Sequence, residues 1–186
     1  SLGTLCSLDT TNPNVEIKEK NAEPANEKKV EEDSTGALGS KNDADIGQMV
    51  KFVSEVTLPA GSENVTFHDT MSAGLTLVKG NEGGYGVTVY GDAGLTDIIP
   101  DGNWPQIVPG KDGCTFEVDL SACVGSYKKV YVVYYAIVNE DAVVGNAGNP
   151  NQSWLSYGEE GTTTSAPSET KTYPWKINVY KYTMDG

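Results

Sequence analysis

Apolar and polar residues alternate along most of this chain with the two-residue period of β-strands. The alternation is clearest in four segments: MVKFVSEVTL at 49–58, FHDTM at 67–71, CTFEVDL at 114–120 and QSWLSY at 152–157. The densest apolar run, KVYVVYYAIV at 129–138, is rich in β-branched and aromatic residues and is bounded by turn-prone sequence. We therefore predict that 129–138 is a central strand covered on both faces.

Stretches rich in Gly, Pro, Asn, Asp and Ser separate the predicted strands, and no amphipathic helix lies between them. The longest are a polar connection at 31–45, a Gly- and Pro-rich loop at 91–113 and a Gly, Thr and Ser linker at 158–170. Seven or more short strands separated by turn signals are typical of two packed antiparallel sheets. The pattern predicts an all-β chain with an immunoglobulin-like antiparallel β-sandwich.

The length of the chain predicts one buried core with additional segments at both ends. The chain has 186 residues, and one domain commonly takes about 100–150. We assign residues 24–158 to the sandwich domain and residues 1–23 to a linker or the tail of a preceding domain. Residues 159–186 would be a linker and the first strand of a following domain. The sequence has no start Met and no signal peptide, so we expect it to be a fragment.

The charge of the chain excludes two classes of partner. Asp and Glu total 26 against 13 basic residues, all of them Lys, which gives a formal net charge of −13. Such a surface disfavours binding to nucleic acid and to anionic membranes. No apolar stretch approaches the roughly 20 residues of a membrane span.

One acid interrupts the apolar face of a predicted strand. Side chains two residues apart share a face of a strand, so Asp69 points to the same side as Phe67 and Met71, toward the core. A buried carboxyl requires a partner or a chemical role. The ordinary alternative is an Asp that caps the turn following the strand.

The same test of parity places a lysine and an amide on apolar faces. Lys28 lies on the side of Val30, and Asn151 lies on the side of Leu155. The ordinary alternatives are an exposed lysine on an edge strand and a loop asparagine after Pro150. The alternation of side chains therefore predicts that a Lys on the first strand, an Asp on an inner strand and an Asn on the last strand all point into one core.

Such a trio can form a covalent cross-link without a cofactor. Burial disfavours charged forms, so it moves the lysine amine toward its neutral, nucleophilic form and the carboxyl toward its protonated form. The amine can attack the amide carbonyl while the protonated acid stabilises the charge on the oxygen and carries protons to the departing ammonia. The product is an intramolecular isopeptide bond. Because this chemistry consumes its own side chains once, we do not expect a turnover enzyme.

Four signatures occur along the chain in a fixed order: PANEKKV, IGQMVKFVSEVTLPAG, FHDTMSAGLTL and YYAIVNEDAVVGNAGNPNQSWLSY. Together they resemble the isopeptide-forming middle domain of Gram-positive sortase-assembled fimbrial (pilin) proteins, over about residues 24–158. The resemblance implies that Lys28 is the reactive lysine, Asp69 the catalytic acid and Asn151 the cross-linked amide. It further implies a structural subunit of an extracellular, cell-wall-anchored pilus, which sortase links to other pilin subunits.

The segment around the amide departs from the usual family pattern. It reads NQSWLSY, with Ser153 where the family commonly has a small Ala. Asn149 has the same parity as Asn151, and Asn146 is nearby. Asn149 therefore stays open as an alternative cross-linking partner.

The segments on either side of the predicted sandwich domain indicate whether sortase could link this chain to other subunits. VEIKEKN lies where shaft pilins of this family carry a Tyr-Pro-Lys-Asn element whose lysine is joined by sortase to the next subunit. Lys20 and Asn21 match that element, but Lys18 and Glu19 stand at the Tyr and Pro positions, which argues against polymerisation through Lys20. Lys181 has the parity of the first-strand lysine of another such domain.

A rival hypothesis is a ligand-binding adhesin domain that recognises a host matrix protein or glycan through Trp104 in the loop at 91–113. His68, the only histidine, points to the face opposite Asp69, and we predict a surface strand residue rather than a zinc ligand. The sequence thus predicts neither a metal nor a cofactor.

Overall fold

A computed structural model describes residues 22–80, 86–100, 107–109 and 113–175 of the chain. Within these ranges the chain is built from strands, with a single turn of 3-10 helix at Ser121–Cys123 and no α-helix. The all-β prediction is confirmed. The strands are β1 (Ala25–Glu31), β2 (Leu38–Gly39), β3 (Lys41–Asp43), β4 (Met49–Thr57), β5 (Thr66–Met71), β6 (Leu75–Leu77), β7 (Thr88–Tyr90), β8 (Ile107–Pro109), β9 (Phe116–Asp119), β10 (Lys129–Val138), β11 (Asn149–Tyr157), β12 (Thr163–Thr164) and β13 (Ser168–Tyr173).

The strands form two sheets that enclose one core. The first sheet has the order β2-β1-β4-β10-β6, and β7 also pairs with β10. The second sheet has the order β3-β13-β11-β5-β9-β8, and β12 also pairs with β11. Every pair in the described residues is antiparallel except β13 with β3, which is parallel. The predicted sandwich is confirmed, with this one parallel pair added.

The predicted alternation decides which side chains enter the core. In β5 the residues Phe67 and Asp69 are buried while their neighbours are half-buried. In β9 the buried residues are Phe116 and Val118. Because a strand projects successive side chains to opposite faces, each of these strands contributes every second residue to the layer between the sheets.

The strand β10 lies in the middle of the first sheet, between β4 on one side and β6 and β7 on the other. Its inward face is fully buried, whereas Tyr131, Tyr135 and Ile137 on the outer face are half-buried. The prediction of a central strand is correct, but the predicted cover on both faces holds only in part, because Val133 alone is buried among the outward-facing residues. The tyrosine hydroxyls on the outer face explain why this face tolerates partial contact with water.

Two segments predicted to be connections contain strands. The polar segment at 31–45 includes β2 and β3, and the predicted linker at 158–170 includes β12 and the start of β13. β13 pairs with β11 and with β3, so the second sheet extends to Tyr173. The apolar pattern could not reveal β13, because its buried residues are Thr170 and Thr172. Thr172 Oγ1 donates a hydrogen bond of 2.7 Å to Asn42 Oδ1.

Candidate functional site

Lys28 and Asp69 meet between the two sheets. Lys28 lies on β1 of the first sheet and is 2% exposed, and Asp69 lies on β5 of the second sheet and is fully buried. Lys28 Nζ donates a hydrogen bond of 2.9 Å to Asp69 Oδ2. Both side chains point into the core, as their parity in the sequence predicts.

Tyr134 completes this cluster from β10. Its hydroxyl donates a hydrogen bond of 2.5 Å to Asp69 Oδ2 and accepts one from Lys28 Nζ. Tyr134 is not among the residues that the sequence predicts for the site. The available signal was its parity, because Tyr134 shares the inward face of β10 with Val132 and Ala136. A buried tyrosine with this parity requires a partner for its hydroxyl.

Aromatic rings surround the amine of Lys28. Its Nζ lies 4.3 Å from the ring centroid of Tyr134 and 4.6 Å from that of Phe52. Phe116 packs edge-on against Tyr134 with 4.9 Å between centroids, and Phe67 lies 6.3 Å from Tyr134. These rings exclude water from the amine. The attraction between their faces and the ammonium replaces only part of the stabilisation that water would give to the charge.

The pKa values of the pair are moved toward each other. Burial lowers the pKa of Lys28 from 10.5 to about 8, although the attraction of Asp69 opposes this shift. Burial raises the pKa of Asp69 from 3.8 to about 6, although the attraction of Lys28 opposes this shift as well. Desolvation therefore dominates for both groups. As a result, the arrangement with a neutral amine and a protonated carboxyl lies closer in energy to the ion pair than it would in water.

Asn151 lies on the inner face of β11, next to β5. Asn151 is paired with Met71, and Ser153, two residues along the same face, is paired with Asp69. The side chain of Asn151 is therefore the diagonal neighbour of Asp69 across the two strands. The amide is fully buried.

Strand β1 crosses over this part of the second sheet. Asn26 Nδ2 donates a hydrogen bond of 2.7 Å to Ser153 Oγ on β11. The backbone N–H of Lys28 donates one of 2.8 Å to Ser168 Oγ on β13. These two contacts hold β1, and with it Lys28, against β11, which carries Asn151, and against the neighbouring β13.

Six buried side-chain atoms have no hydrogen-bond partner among the described residues. Three of them belong to the candidate trio, namely Asn151 Nδ2, Asn151 Oδ1 and Asp69 Oδ1, and two more are the hydroxyls of Ser54 and Thr170, which are paired with Lys28 and Asn151 in the sheets. Burying a polar group without a partner costs about 1–3 kcal/mol. An amide with both atoms unpaired in a dry core is rare in folded proteins. The unpaired amide and the unpaired carboxyl oxygen therefore belong to diagonal neighbours on the inner face of the second sheet.

Asn149, the alternative partner, has a different environment. Its Oδ1 accepts a hydrogen bond of 2.8 Å from the backbone N–H of Val143. Its Nδ2 donates to the backbone oxygens of Val143 at 2.9 Å and of Thr172 at 3.1 Å. This amide is engaged in holding the turn before β11, and Asn146 is exposed.

Several residues singled out in the sequence lie outside the described residues: Lys20, Asn21, Trp104 and Lys181. His68 is on the face of β5 opposite Asp69 and is only 15% exposed. Within the described part of the chain, no helix is long and apolar enough to cross a membrane.

No family model matches this chain, and no curated protein sequence matches it. Solved structures do. The T6 backbone pilin of serotype M6 Streptococcus pyogenes is 19% identical with a TM-score of 0.57, covering 82% of this chain and 36% of the pilin. BcpA, the major pilin subunit of Bacillus cereus, is 16% identical with a TM-score of 0.59, covering 82% of this chain and 40% of the pilin.

A third similar structure is the N-terminal domain of the Streptococcus gordonii adhesin Sgo0707, which is 13% identical with a TM-score of 0.57 and covers 81% of this chain and 32% of that one. The chain thus spans at most 40% of the length of these three proteins. At these identities the similarity concerns the fold. The chain has the immunoglobulin-like β-sandwich fold that occurs in domains of Gram-positive backbone pilins.

Proposed function

We propose that this chain is a structural domain of a cell-surface pilus and that it cross-links itself by an isopeptide bond between Lys28 and Asn151, with Asp69 as the catalytic acid. The observation that carries the proposal is the fully buried amide of Asn151, which has neither of its polar atoms paired. The bond would remove this unpaired amide. It would eliminate Nδ2 as ammonia, and the remaining carbonyl oxygen could accept a hydrogen bond from the protonated carboxyl of Asp69.

The reaction balances without an external reagent. A proton first passes from the Lys28 ammonium to the Asp69 carboxylate across their hydrogen bond of 2.9 Å. The neutral amine attacks Cγ of Asn151, and the bond from Nζ to Cγ forms as the bond from Cγ to Nδ2 breaks. Asp69 transfers one proton from the attacking nitrogen to the leaving nitrogen, so that ammonia departs and the carboxyl ends protonated. Positioning by the fold can supply about 7–11 kcal/mol of the barrier.

The proposed bond would serve mechanical stability. It would join β1 to β11, so that tension along the chain would bypass the segment between residues 28 and 151. β12 and β13 follow Asn151 and would stay outside the closed loop, held by their pairing with β11 and β3. A domain of this kind would transmit force through a covalent link in an extracellular fibre.

The wider context is part of the same proposal. We assign the sandwich to residues from about 24 to Tyr173, because β13 belongs to the second sheet. Residues 1–23 would connect to a preceding domain. The protein would be anchored to the cell wall and joined to other pilin subunits by sortase. It would act once on itself and would not be an enzyme with turnover.

The adhesin hypothesis remains the second candidate, supported by the likeness to the adhesin domain from S. gordonii. Its proposed contact residue, Trp104, lies outside the described residues. The described residues include Lys28, Asp69 and Asn151, on which the cross-link proposal rests. A Trp104→Ala variant that loses binding to a glycan or matrix-protein array while it keeps its fold would favour the adhesin.

Intact-mass spectrometry tests the cross-link directly. We expect the purified chain to weigh one ammonia less than its sequence, because the reaction releases one ammonia. Lys28→Met and Asn151→Ala should each restore the full mass. Peptide mapping should find a branched peptide that joins the segments containing residues 28 and 151.

Asn149→Ala is the matched control, since it removes a buried amide from the same strand. This variant should keep the mass deficit, although its turn is weakened by the lost hydrogen bonds to Val143. A folded wild-type chain at full mass would refute the proposal. So would a deficit that disappears in Asn149→Ala and persists in Asn151→Ala.

The rate of bond formation should depend on pH as a bell with its maximum near pH 7. The reactive arrangement, with a neutral amine and a protonated carboxyl, has the same number of protons as the ion pair. The fraction of molecules in this arrangement is therefore greatest between the two pKa values, about 6 for Asp69 and about 8 for Lys28. Below that window the pair gains a proton and the amine stays charged. Above it the pair loses a proton and the acid is missing.

Freshly translated chain, transferred to buffers between about pH 5 and pH 9, would show this profile in mass spectra taken at intervals. Translation at a single pH keeps the starting material the same. A rate that rises continuously up to pH 9 would instead indicate attack by an amine that needs no acid partner.

A further inference from the structure

Three side chains of different chemistry converge on the outer face of the second sheet, away from the core cluster. They are His68 on β5, Glu117 on β9 and Cys114, which precedes β9. One donor atom from each lies within 4.8 Å of the others. His68 Nδ1 is 3.2 Å from Glu117 Oε1 and 4.0 Å from Cys114 Sγ.

The sheet itself fixes this convergence. His68 and Glu117 are directly opposite each other in the pairing of β5 with β9, so their side chains share one face. Cys114 is held by its neighbour: the backbone N–H of Thr115 donates to the carbonyl oxygen of Asp69 at 2.7 Å. Thr115 Oγ1 also accepts a hydrogen bond of 2.9 Å from the N–H of Met71. The donors therefore sit on a rigid backbone.

The ring of His68 is oriented by contacts outside the trio. Its Nε2 lies 2.7 Å from Ser156 Oγ on β11. The ring stacks on Trp154 with 5.3 Å between centroids and 6° between planes. If Nε2 carries the proton and donates it to Ser156, the lone pair of Nδ1 faces Glu117 and Cys114. Histidine ligands of metals are commonly held by an outer hydrogen bond of this type.

We propose that His68 Nδ1, Cys114 Sγ and the Glu117 carboxylate bind a zinc ion. One nitrogen, one sulfur and one oxygen donor suit this borderline-soft metal. Tetrahedral bonds of 2.0–2.3 Å to zinc imply donor separations of about 3.3–3.7 Å, and the two measured separations lie within about 0.4 Å of that range.

The charge of the donor groups and their exposure to solvent also favour zinc. A thiolate and a carboxylate together neutralise Zn²⁺, and thiol coordination would release one proton to solvent. His68 and Glu117 are 15% and 13% exposed, so the ion would be shielded but reachable. The trio opens into a surface depression of about 340 Å³, also lined by Gly161, Thr162 and Thr164. The fourth coordination position would face this depression and hold water or an external ligand.

Titration of the reduced 186-residue chain with Zn²⁺ and with Co²⁺ tests the proposal. We expect one zinc ion per chain by calorimetry. Cobalt should give the near-ultraviolet charge-transfer band of a thiolate ligand together with the visible bands of a tetrahedral ion. Cys114→Ser and His68→Gln should abolish both signals. Ser156→Ala, which removes only the outer partner of His68, should weaken zinc affinity by about 10–100-fold.

Two variants are matched controls for the thiol. Cys123→Ala removes the buried thiol, and Cys6→Ser removes a thiol outside the described residues; both should bind zinc as the unaltered chain does. Near-ultraviolet circular dichroism checks that every variant is folded. The proposal is overturned if the chain binds no stoichiometric zinc, if Cys114→Ser and His68→Gln bind it normally, or if binding disappears with Cys6 or Cys123 instead.

Discussion

Changing Asp69 to Ala is expected to leave the chain at its full sequence mass, with cross-linking slowed by at least about 10²–10⁴-fold. The variant removes the group that accepts the proton of Lys28 and returns it to the departing ammonia. It also removes the negative charge that holds the pKa of Lys28 up, so the amine becomes neutral more easily. Loss of the reaction would therefore reflect the missing acid and not a blocked nucleophile. Mass spectra of freshly folded chain, followed over time, measure the rate.

Tyr134→Phe is the matched comparison for this variant. It keeps the ring beside Lys28 and removes only the hydroxyl that donates to Asp69 Oδ2. We expect it to form the bond to completion but more slowly, because Tyr134 positions the carboxyl and does not transfer the proton. Asp69→Asn gives a second test with nearly unchanged volume, and circular dichroism verifies folding. Release of ammonia from Asp69→Ala at the wild-type rate would rule out the assigned role.

Loss of the cross-link should cost the domain about 5 kcal/mol of unfolding free energy, because a loop of more than 100 residues would no longer be closed in the unfolded chain. For a domain of this size the melting temperature should fall by about 10–20 °C. We expect this for Lys28→Met and for Asn151→Ala. Denaturant unfolding, read by near-ultraviolet circular dichroism, measures the effect, and a protease assay should show shorter survival of both variants.

A double variant separates loop closure from ordinary packing. Either substitution alone removes the same bond, so Lys28→Met combined with Asn151→Ala should be little less stable than each single variant. If the two effects add, each side chain contributes through its own contacts and the bond does not explain the stability. Asn149→Ala again serves as the control, since its loss of hydrogen bonds should lower stability while the deficit of one ammonia is kept.

The parity of polar residues within apolar strands was sufficient to predict the inward direction of two site residues. Lys28 follows the alternation of β1 and Asp69 that of β5, and both are buried. The reason is local, because a strand fixes the side to which each residue points whatever strand lies beside it. The sequence could not choose between Asn149 and Asn151, which share a face. Their hydrogen-bonding environments differ because the backbone of Val143, in the turn before β11, and that of Thr172 on β13 both pair with Asn149.

Other features depend on pairing between distant segments. Tyr134 reaches Asp69 because β10 and β5 face each other across the core, and no pattern within either strand indicates this contact. The same holds for Cys114 and His68, which are brought together by the pairing of β5 with β9. β13 was missed because its buried threonines do not resemble the apolar face of a strand.

The sequence by itself determined the class of the fold, the position of most strands and the face on which each candidate residue lies, because these follow from the two-residue period of extended backbone. Only the tertiary structure decided which polar groups meet. The order of strands in each sheet and the contact between the sheets join β1, β5 and β10 around one buried amine. Proximity across a sandwich is set by packing of the whole chain, and no local stretch encodes it.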